Sequence, residues 1–71
     1  MSKEPDTGDR VSWNTPQGRT RGRVVERKTA DFSLSGHDFT ASKDDPRFIV
    51  ESEKTGARAA HKASALRILK G

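Results

Sequence analysis

The chain contains no cysteine and no tyrosine among its 71 residues. Without cysteine it can form no disulfide bond and has no thiol nucleophile. Because it has no disulfide framework, nothing in the sequence indicates an oxidising compartment. It also has no apolar run long enough for a secretion signal or a membrane span. These features predict a soluble, cytoplasmic protein without disulfides.

Large apolar side chains are also scarce. Only 13 residues are of this kind, because seven of the hydrophobic residues are alanine and one is Met1. A chain this short supports one domain at most. Since the core is thin, backbone pairing must contribute much of the stability.

Charge is present in abundance but is unevenly distributed. The net charge is +4, yet residues 10–30 and 54–71 each carry +5, while residues 1–9 carry −2 and residues 31–53 carry −4. If the fold brings the two basic segments together, they form a positive face suited to phosphate. The alternative is a mixed surface that only keeps a small protein soluble.

The hydrophobic pattern predicts short strands. Polar and apolar residues alternate over residues 9–13, and residues 20–28 form the longest predicted strand. Turn residues separate the remaining segments, which predict a hairpin over residues 32–41, strands over 48–52, 57–62 and 67–69, and one helical turn over 63–66. Five or six short antiparallel strands can close into a small barrel over residues 8–70, and residues 1–7 are predicted to be a disordered tail.

A row of arginines is the strongest candidate for a functional site. Strand alternation over residues 20–28 predicts that Arg21, Arg23 and Arg27 lie on one face, about 6.6 Å apart where they alternate. Arginine binds phosphate with two parallel hydrogen bonds. Arg58 and Lys62 share one face of a later strand and would extend this nucleic-acid or phosphate site if the barrel places them alongside.

Two ring-bearing residues are the remaining ligand candidates. Trp13 is predicted to anchor the core, with partial exposure as a stacking surface as the alternative. His61 alternates with Ala57 and Ala59, which predicts that it faces the interior. The alternative is that His61 joins the arginines in a pocket for a phosphorylated nucleotide of the NADPH type. With four aromatic residues in all, a cage for methylated lysine or arginine is not expected.

Catalytic and metal-binding patterns are missing from the sequence. It has no serine paired with a base at motif spacing and no glycine-rich phosphate loop before a helix. His37 stands beside Asp38 without further ligands nearby, and Asp44 and Asp45 precede Pro46 as turn residues. We therefore expect no enzyme activity, no catalytic residue, no metal site and no cofactor.

Several segments together resemble a known family. They are Gly8 to Trp13, Gly22 to Val25, Ala41 to Val50, Ala59 to Lys62, and Ser64 to Leu66. The resemblance is to the hypervirulence-associated protein Tudor-like domain family, small bacterial and fungal proteins whose domain is of unknown function, and it extends from Gly8 to Leu69. Phe48 departs from the pattern, where tyrosine is commoner. The resemblance implies a small SH3-like, Tudor-type barrel and says little about activity, because such barrels carry many functions.

The sequence thus predicts an all-β, monomeric and non-enzymatic binding module. The leading partner is nucleic acid or another polyanion. The alternatives are a binder of a phosphorylated nucleotide ligand and an accessory domain that binds a protein partner. No membrane contact is expected.

Overall fold

Seven strands and one 3-10 turn make up the regular structure of the computed structural model, which describes residues 4–34 and 36–69. The elements are β1 Arg10–Thr15, β2 Gly18–Lys28, β3 Phe32–Leu34, β4 His37–Phe39, β5 Arg47–Ser52, β6 Arg58–Lys62, the 3-10 turn Ala63–Ala65, and β7 Arg67–Ile68. Residues 1–3 of the predicted tail, Ser35 in the predicted hairpin and Lys70 in the predicted domain lie outside the described residues.

Five of these strands form one antiparallel sheet in the order β6-β5-β2-β1-β7, and β3 and β4 form a separate two-stranded sheet. The long strand β2 lies at the centre, where it pairs with β1 along its first half and with β5 along its second half. This architecture confirms the predicted all-β class and the small SH3-like, Tudor-type barrel.

The turn between β1 and β2 contains only Pro16 and Gln17, because Thr15 and Gly18 are already paired. The Thr15 hydroxyl donates to the Gly18 carbonyl at 2.8 Å and accepts from the Gln17 amide at 3.2 Å. β1 therefore extends to Thr15, two residues beyond the predicted end. The β5–β6 hairpin has Gly56 at φ +76°, the left-handed conformation that its turn position predicts.

The core is formed by alternate residues of the five-stranded sheet. Its buried members are Val11, Trp13, Val24, Phe48 and Val50, with Ala59, Ala63, Leu66 and Ile68 packed against them. Because side chains alternate along a strand, the residues between these core positions face the other way. We call the side that carries the core the inner face, and the opposite side the outer face.

Gly22 is paired with Ser52 on the inner face, where the indole of Trp13 crosses β2. A methyl group at residue 22 would lie 2.7 Å from Cη2 of Trp13 and would overlap the carbonyl oxygen of Glu51. Only glycine leaves this space, and Trp13 fills it with 4% of its surface exposed. Trp13 is thus the core anchor that the sequence predicts.

A β-bulge divides β2. Val24 is opposite Val50 and Glu26 is opposite Ile49, so Val25 is an extra residue in the ladder. Beyond the bulge the alternation is reversed, and Arg27 is opposite the core residue Phe48. The predicted common face of Arg21, Arg23 and Arg27 is therefore wrong for Arg27, because a one-residue shift moves a side chain to the other face.

The segment just before β1 lies against β2. The Gly8 amide donates to the Val24 carbonyl at 2.7 Å, and the Val24 amide donates to the Asp9 carbonyl at 3.0 Å. Pro5 is fully buried, and the Glu4 carboxylate lies 3.3 Å from Nη2 of Arg27. Part of the stretch predicted as a disordered tail thus makes defined contacts, and the domain boundary at residue 8 stays a prediction.

Candidate functional site

The outer face carries a row of charged residues across four strands. Direct cross-strand pairing places Arg10 of β1 opposite Arg23, Arg23 opposite Glu51 of β5, and Glu51 opposite Arg58 of β6. Side chains of directly paired residues lie on the same face. The row therefore contains three guanidinium groups and one carboxylate.

A second row lies next to the first, closer to the β1–β2 turn, and it extends to β7. Ser12 is opposite Arg21 on one side and Arg67 on the other. Ser12 is buried, and its hydroxyl accepts a hydrogen bond from Nε of Arg19 at 3.1 Å. Nη1 of Arg19 also donates to Oδ1 of Asn14 at 3.0 Å, so the Arg19 side chain lies across the outer face of β1.

Four of these cations form what we call the arginine patch, which consists of Arg19, Arg21, Arg23 and Arg67. Arg21 and Arg23 are exposed residues of β2, Arg67 is an exposed residue of β7 on the other side of β1, and Arg19 is exposed at the edge of the patch. Within residues 4–34 and 36–69, no carboxylate forms an ion pair with any of the four. The patch is thus a local excess of positive charge.

Two carboxylates of the outer face lie on the β5 side of the arginine patch and have cationic partners. Nε and Nη2 of Arg10 donate to the two carboxylate oxygens of Glu53 at 3.0 and 3.2 Å. The Glu51 carboxylate lies 3.5 Å from Nε of Arg58. Both pairs are exposed to solvent by about two fifths or more, which makes each a weak contributor to stability.

Arg58 and Lys62 lie on the outer face of β6, as the sequence predicts, but each has a carboxylate partner. Besides the pair of Arg58 with Glu51, Nζ of Lys62 lies 3.0 Å from Asp45. Arg27 pairs with Glu4 beyond the bulge. Of the five predicted phosphate-binding residues, the structure therefore brings Arg21 and Arg23 together and leaves the other three in separate ion pairs.

In the half of the outer face that lies beyond the bulge of β2, side chains are buried or lie against aromatic rings. Ile49 and Ala60 are paired there and are buried. Lys28 and Arg47 are also paired, and their cations lie 5.8 and 5.6 Å from the ring centroids of Phe32 and Phe39. These two rings stack on each other in the β3–β4 hairpin, with centroids 5.3 Å apart. The other two aromatic residues, Trp13 and Phe48, belong to the core instead.

His61 lies on the inner face, opposite Phe48, and its ring centroid is 5.8 Å from that of Trp13. The inward orientation agrees with the sequence prediction. Nε2 is buried and has no hydrogen-bond partner among the described residues. Partial burial, followed by the charge of Arg47, lowers the pKa of His61 below 6.5. Both effects lower the pKa and so favour the neutral imidazole at pH 7.

Two grooves open beside the arginine patch. The larger, of about 760 Å³, lies between the β1–β2 turn and the β5–β6 hairpin, and Trp13, Arg19, Arg21 and Arg58 contribute to its walls. The smaller, of about 490 Å³, lies where β1 meets the 3-10 turn and β7, and it includes Arg19, His61 and Arg67. Both grooves thus combine an inner-face ring with outer-face arginines.

Arg19 and Arg67 were missed by the sequence reasoning. Arg67 becomes part of the patch only through its pairing with Ser12, a contact between residues far apart in the chain. The position of Arg19 could have been predicted, because a two-residue turn at Pro16 and Gln17 places it opposite Asn14. The signal was the proline in that turn, which favours a tight connection.

No cluster of three or more potential metal ligands occurs in the part of the chain that the structure describes. Asp38, which the sequence places beside His37, instead accepts a hydrogen bond of 2.6 Å from the Ser33 hydroxyl. None of the described segments is a helix with the length and apolar character needed to cross a membrane.

Comparison with known proteins identifies the family. No curated protein and no solved structure matches the chain. A family described as "Hypervirulence associated proteins TUDOR domain" matches residues 8–66, which is most of the sequence and includes every strand of the five-stranded sheet except β7. Tudor-like domains are generally non-catalytic modules that bind partners. The chain belongs to the hypervirulence-associated Tudor domain family, and it is a small binding module of that type.

Proposed function

We propose that this module binds nucleic acid, or a polyanion of similar charge density, through the arginine patch. The observation that carries the proposal is the alignment of Arg21 with Arg67 across Ser12, next to Arg23, without a described carboxylate partner. Neighbouring strands are about 4.8 Å apart, and alternate residues along a strand are about 6.6 Å apart. Three guanidinium groups therefore project from a small area.

Such an area favours phosphate for two reasons. Arginine remains charged at all physiological pH values and forms paired hydrogen bonds with phosphate oxygens. Guanidinium groups held close together repel one another, and a bound polyanion relieves this repulsion. Each phosphate contact also releases counterions from the nucleic acid, which makes binding salt-dependent.

Arg58 and Lys62 have a secondary role in this proposal, and their carboxylate partners must separate before these side chains contact a ligand. Arg27 lies on the other side of the sheet, beyond the bulge, and is not part of the proposed surface. Because exposed ion pairs stabilise a protein by only about 0 to 1 kcal/mol, that separation costs little. We therefore assign Arg21 and Arg23 the main contribution, supported by Arg19 and Arg67.

Charge reversal tests the proposal. Binding of a fluorescein-labelled oligonucleotide is measured by anisotropy at low and at physiological salt, with wild-type protein and the double variant R21E/R23E. We expect loss of binding in the double variant, an almost unchanged melting temperature, and weaker wild-type binding at higher salt. A matched pair of single variants, R21E and K43E, separates the patch from net charge. Equal affinity of these two single variants would overturn the assignment.

A second candidate is a phosphorylated nucleotide ligand in the smaller groove. It is supported by the buried, unpartnered Nε2 of His61 in a groove that also contains Arg19 and Arg67. A neutral imidazole donates to or accepts from one ligand atom, while the guanidinium groups receive the phosphate. Calorimetry with a nucleotide distinguishes this candidate, because a pocket ligand gives one-to-one binding with a shallow salt dependence. His61→Gln should weaken nucleotide binding and leave oligonucleotide binding unchanged.

A further inference from the structure

The larger groove has the chemistry of a nucleobase site. Ala57 and Ala59 provide apolar surface beside the edge of the buried Trp13, and Thr20 provides a hydroxyl that makes no hydrogen bond among those described. The volume of about 760 Å³ lies in the range of about 300 to 1,000 Å³ that is typical of small-ligand sites. A base has apolar faces and a polar edge, which such a surface can contact.

Small residues keep this groove open. Three inner-face positions that line the groove are Ser52, Ala57 and Ala59, whereas the space at Gly22 is filled by the indole of Trp13. Ala57 is exposed in the groove. The shape is thus built into the sequence of β6 and its hairpin, and it does not require a movement of the core.

The groove is continuous with the arginine patch. Arg19 and Arg21 belong to the patch and also form one wall of the groove, and Lys54 and Arg58 lie on the opposite side. The one acidic residue in the walls, Glu53, is paired with Arg10. Charge complementarity therefore favours an anionic occupant whose charged and apolar parts alternate along its length.

A polynucleotide has this alternation, because every repeat contains one phosphate and one base. In a duplex the bases are stacked and paired, and their removal from the stack costs free energy. In a single strand the bases are free to enter a groove beside the phosphate contacts. An acidic peptide supplies charge without a flat apolar group at each repeat.

We infer that the larger groove accepts a base of a single-stranded nucleic acid whose phosphates lie on the arginine patch. This inference rests on the proposed polyanion function and adds a preference for single strands. It predicts that the base itself contributes to binding. A backbone without bases should bind through its phosphates alone, as should a duplex.

The experiment compares three probes of equal length by anisotropy: single-stranded oligothymidylate, the same strand with abasic sites throughout, and a duplex. We expect oligothymidylate to bind on the order of 5- to 100-fold more tightly than the abasic strand, from a base contact of the usual strength. Trp13, the one tryptophan in the sequence, should change its fluorescence with oligothymidylate and not with the abasic strand.

A matched pair of variants locates the base. Ala57→Glu places a carboxylate in the groove, and Ala30→Glu makes the same change at another exposed alanine, away from both grooves. Ala57→Glu should remove most of the advantage of oligothymidylate over the abasic strand, while Ala30→Glu should retain it. Circular dichroism checks that both variants are folded, and Thr20→Val, which keeps the side-chain shape, provides a second test of the same groove.

The binding measurements distinguish failure of the base site from failure of the proposed polyanion function. Equal binding of oligothymidylate and the abasic strand would overturn the base site and leave the polyanion function intact. Absence of binding by all three nucleic acids would overturn both. A preference for an oligoglutamate peptide over every nucleic acid would overturn the base site and the assignment to nucleic acid, and it would identify an acidic protein segment as the polyanion.

Discussion

The indole of Trp13 occupies the space in which a side chain of residue 22 would begin. A Cβ atom at Gly22 would lie 2.7 Å from Cη2 of Trp13 and would overlap the backbone carbonyl of Glu51 on the neighbouring strand. Trp13 and Gly22 are nine positions apart, and each depends on the other. The large indole fits only because residue 22 has no side chain.

Gly22→Ala should lower the free energy of unfolding by about 1 to 3 kcal/mol, the usual cost of overpacking a core. Urea unfolding followed by Trp13 fluorescence measures this change. Gly56→Ala is the control, because its added methyl group meets nothing within 4 Å and carries only the cost of a positive φ. A smaller loss for Gly22→Ala than for Gly56→Ala would contradict the packing argument.

The stability of the protein should decrease as the pH falls below about 6.5. Burial and the charge of Arg47 lower the pKa of His61 in the folded state, so the unfolded chain binds the proton more tightly. The full stability contribution is present above the unfolded pKa and is lost as the pH falls toward the folded one. Unfolding curves recorded between pH 7.5 and pH 5.5 measure this dependence.

The matched variants for the pH dependence are His61→Gln and His37→Gln. We expect the first to flatten the dependence and the second to preserve it, because His37 is exposed in β4. Trp13 emission in the folded protein should follow the same titration, given the 5.8 Å between the two rings. A pH dependence that survives in His61→Gln would assign it to other groups.

Glu51→Gln should strengthen oligonucleotide binding by about two- to fivefold at low salt. Glu51 is the direct neighbour of Arg23 on the outer face, and its negative charge weakens the attraction of phosphate by about 1 kcal/mol or less through solvent. Asp44→Asn makes the same change of net charge in the exposed connector before β5. Anisotropy titrations should show a clear gain for Glu51→Gln alone, and equal gains would indicate a general charge effect.

Pro5→Ala should lower the free energy of unfolding by about 1 to 2 kcal/mol, because it removes fully buried apolar atoms. Pro16→Ala in the exposed β1–β2 turn should change it by less than about 1 kcal/mol. Thermal unfolding of both variants gives the comparison. An unchanged stability for Pro5→Ala would support the disordered tail that the sequence predicts over residues 1–7.

The alternation of polar and apolar residues was sufficient to predict most of the fold. Alternation within one strand places Val11 and Trp13 on a common face, and it does the same for Ala57, Ala59 and His61. Neither assignment needs information on the neighbouring strands. The bulge at Val25 was not predictable in this way, because it depends on how β2 pairs with both β1 and β5.

The candidate site was less predictable for the same reason. Arg21 and Arg23 are two residues apart, and local geometry places them together. Arg67 joins them only because β7 pairs with β1, a contact over a long sequence separation. The ion pairs of Arg58 and Lys62 likewise depend on residues from other segments. Local patterns therefore identified the centre of the patch, and tertiary pairing determined its extent.

The extra residue Val25 determines which face of the sheet each arginine of β2 is on. The residues before it, Arg19, Arg21 and Arg23, are on the outer face. Arg27 follows it, is on the inner face and pairs with Glu4. Deleting Val25 would restore one phase along the whole strand. Arg27 would then face outward with the others, the N-terminal segment would lose its cationic partner, and the same set of cations would form a longer line.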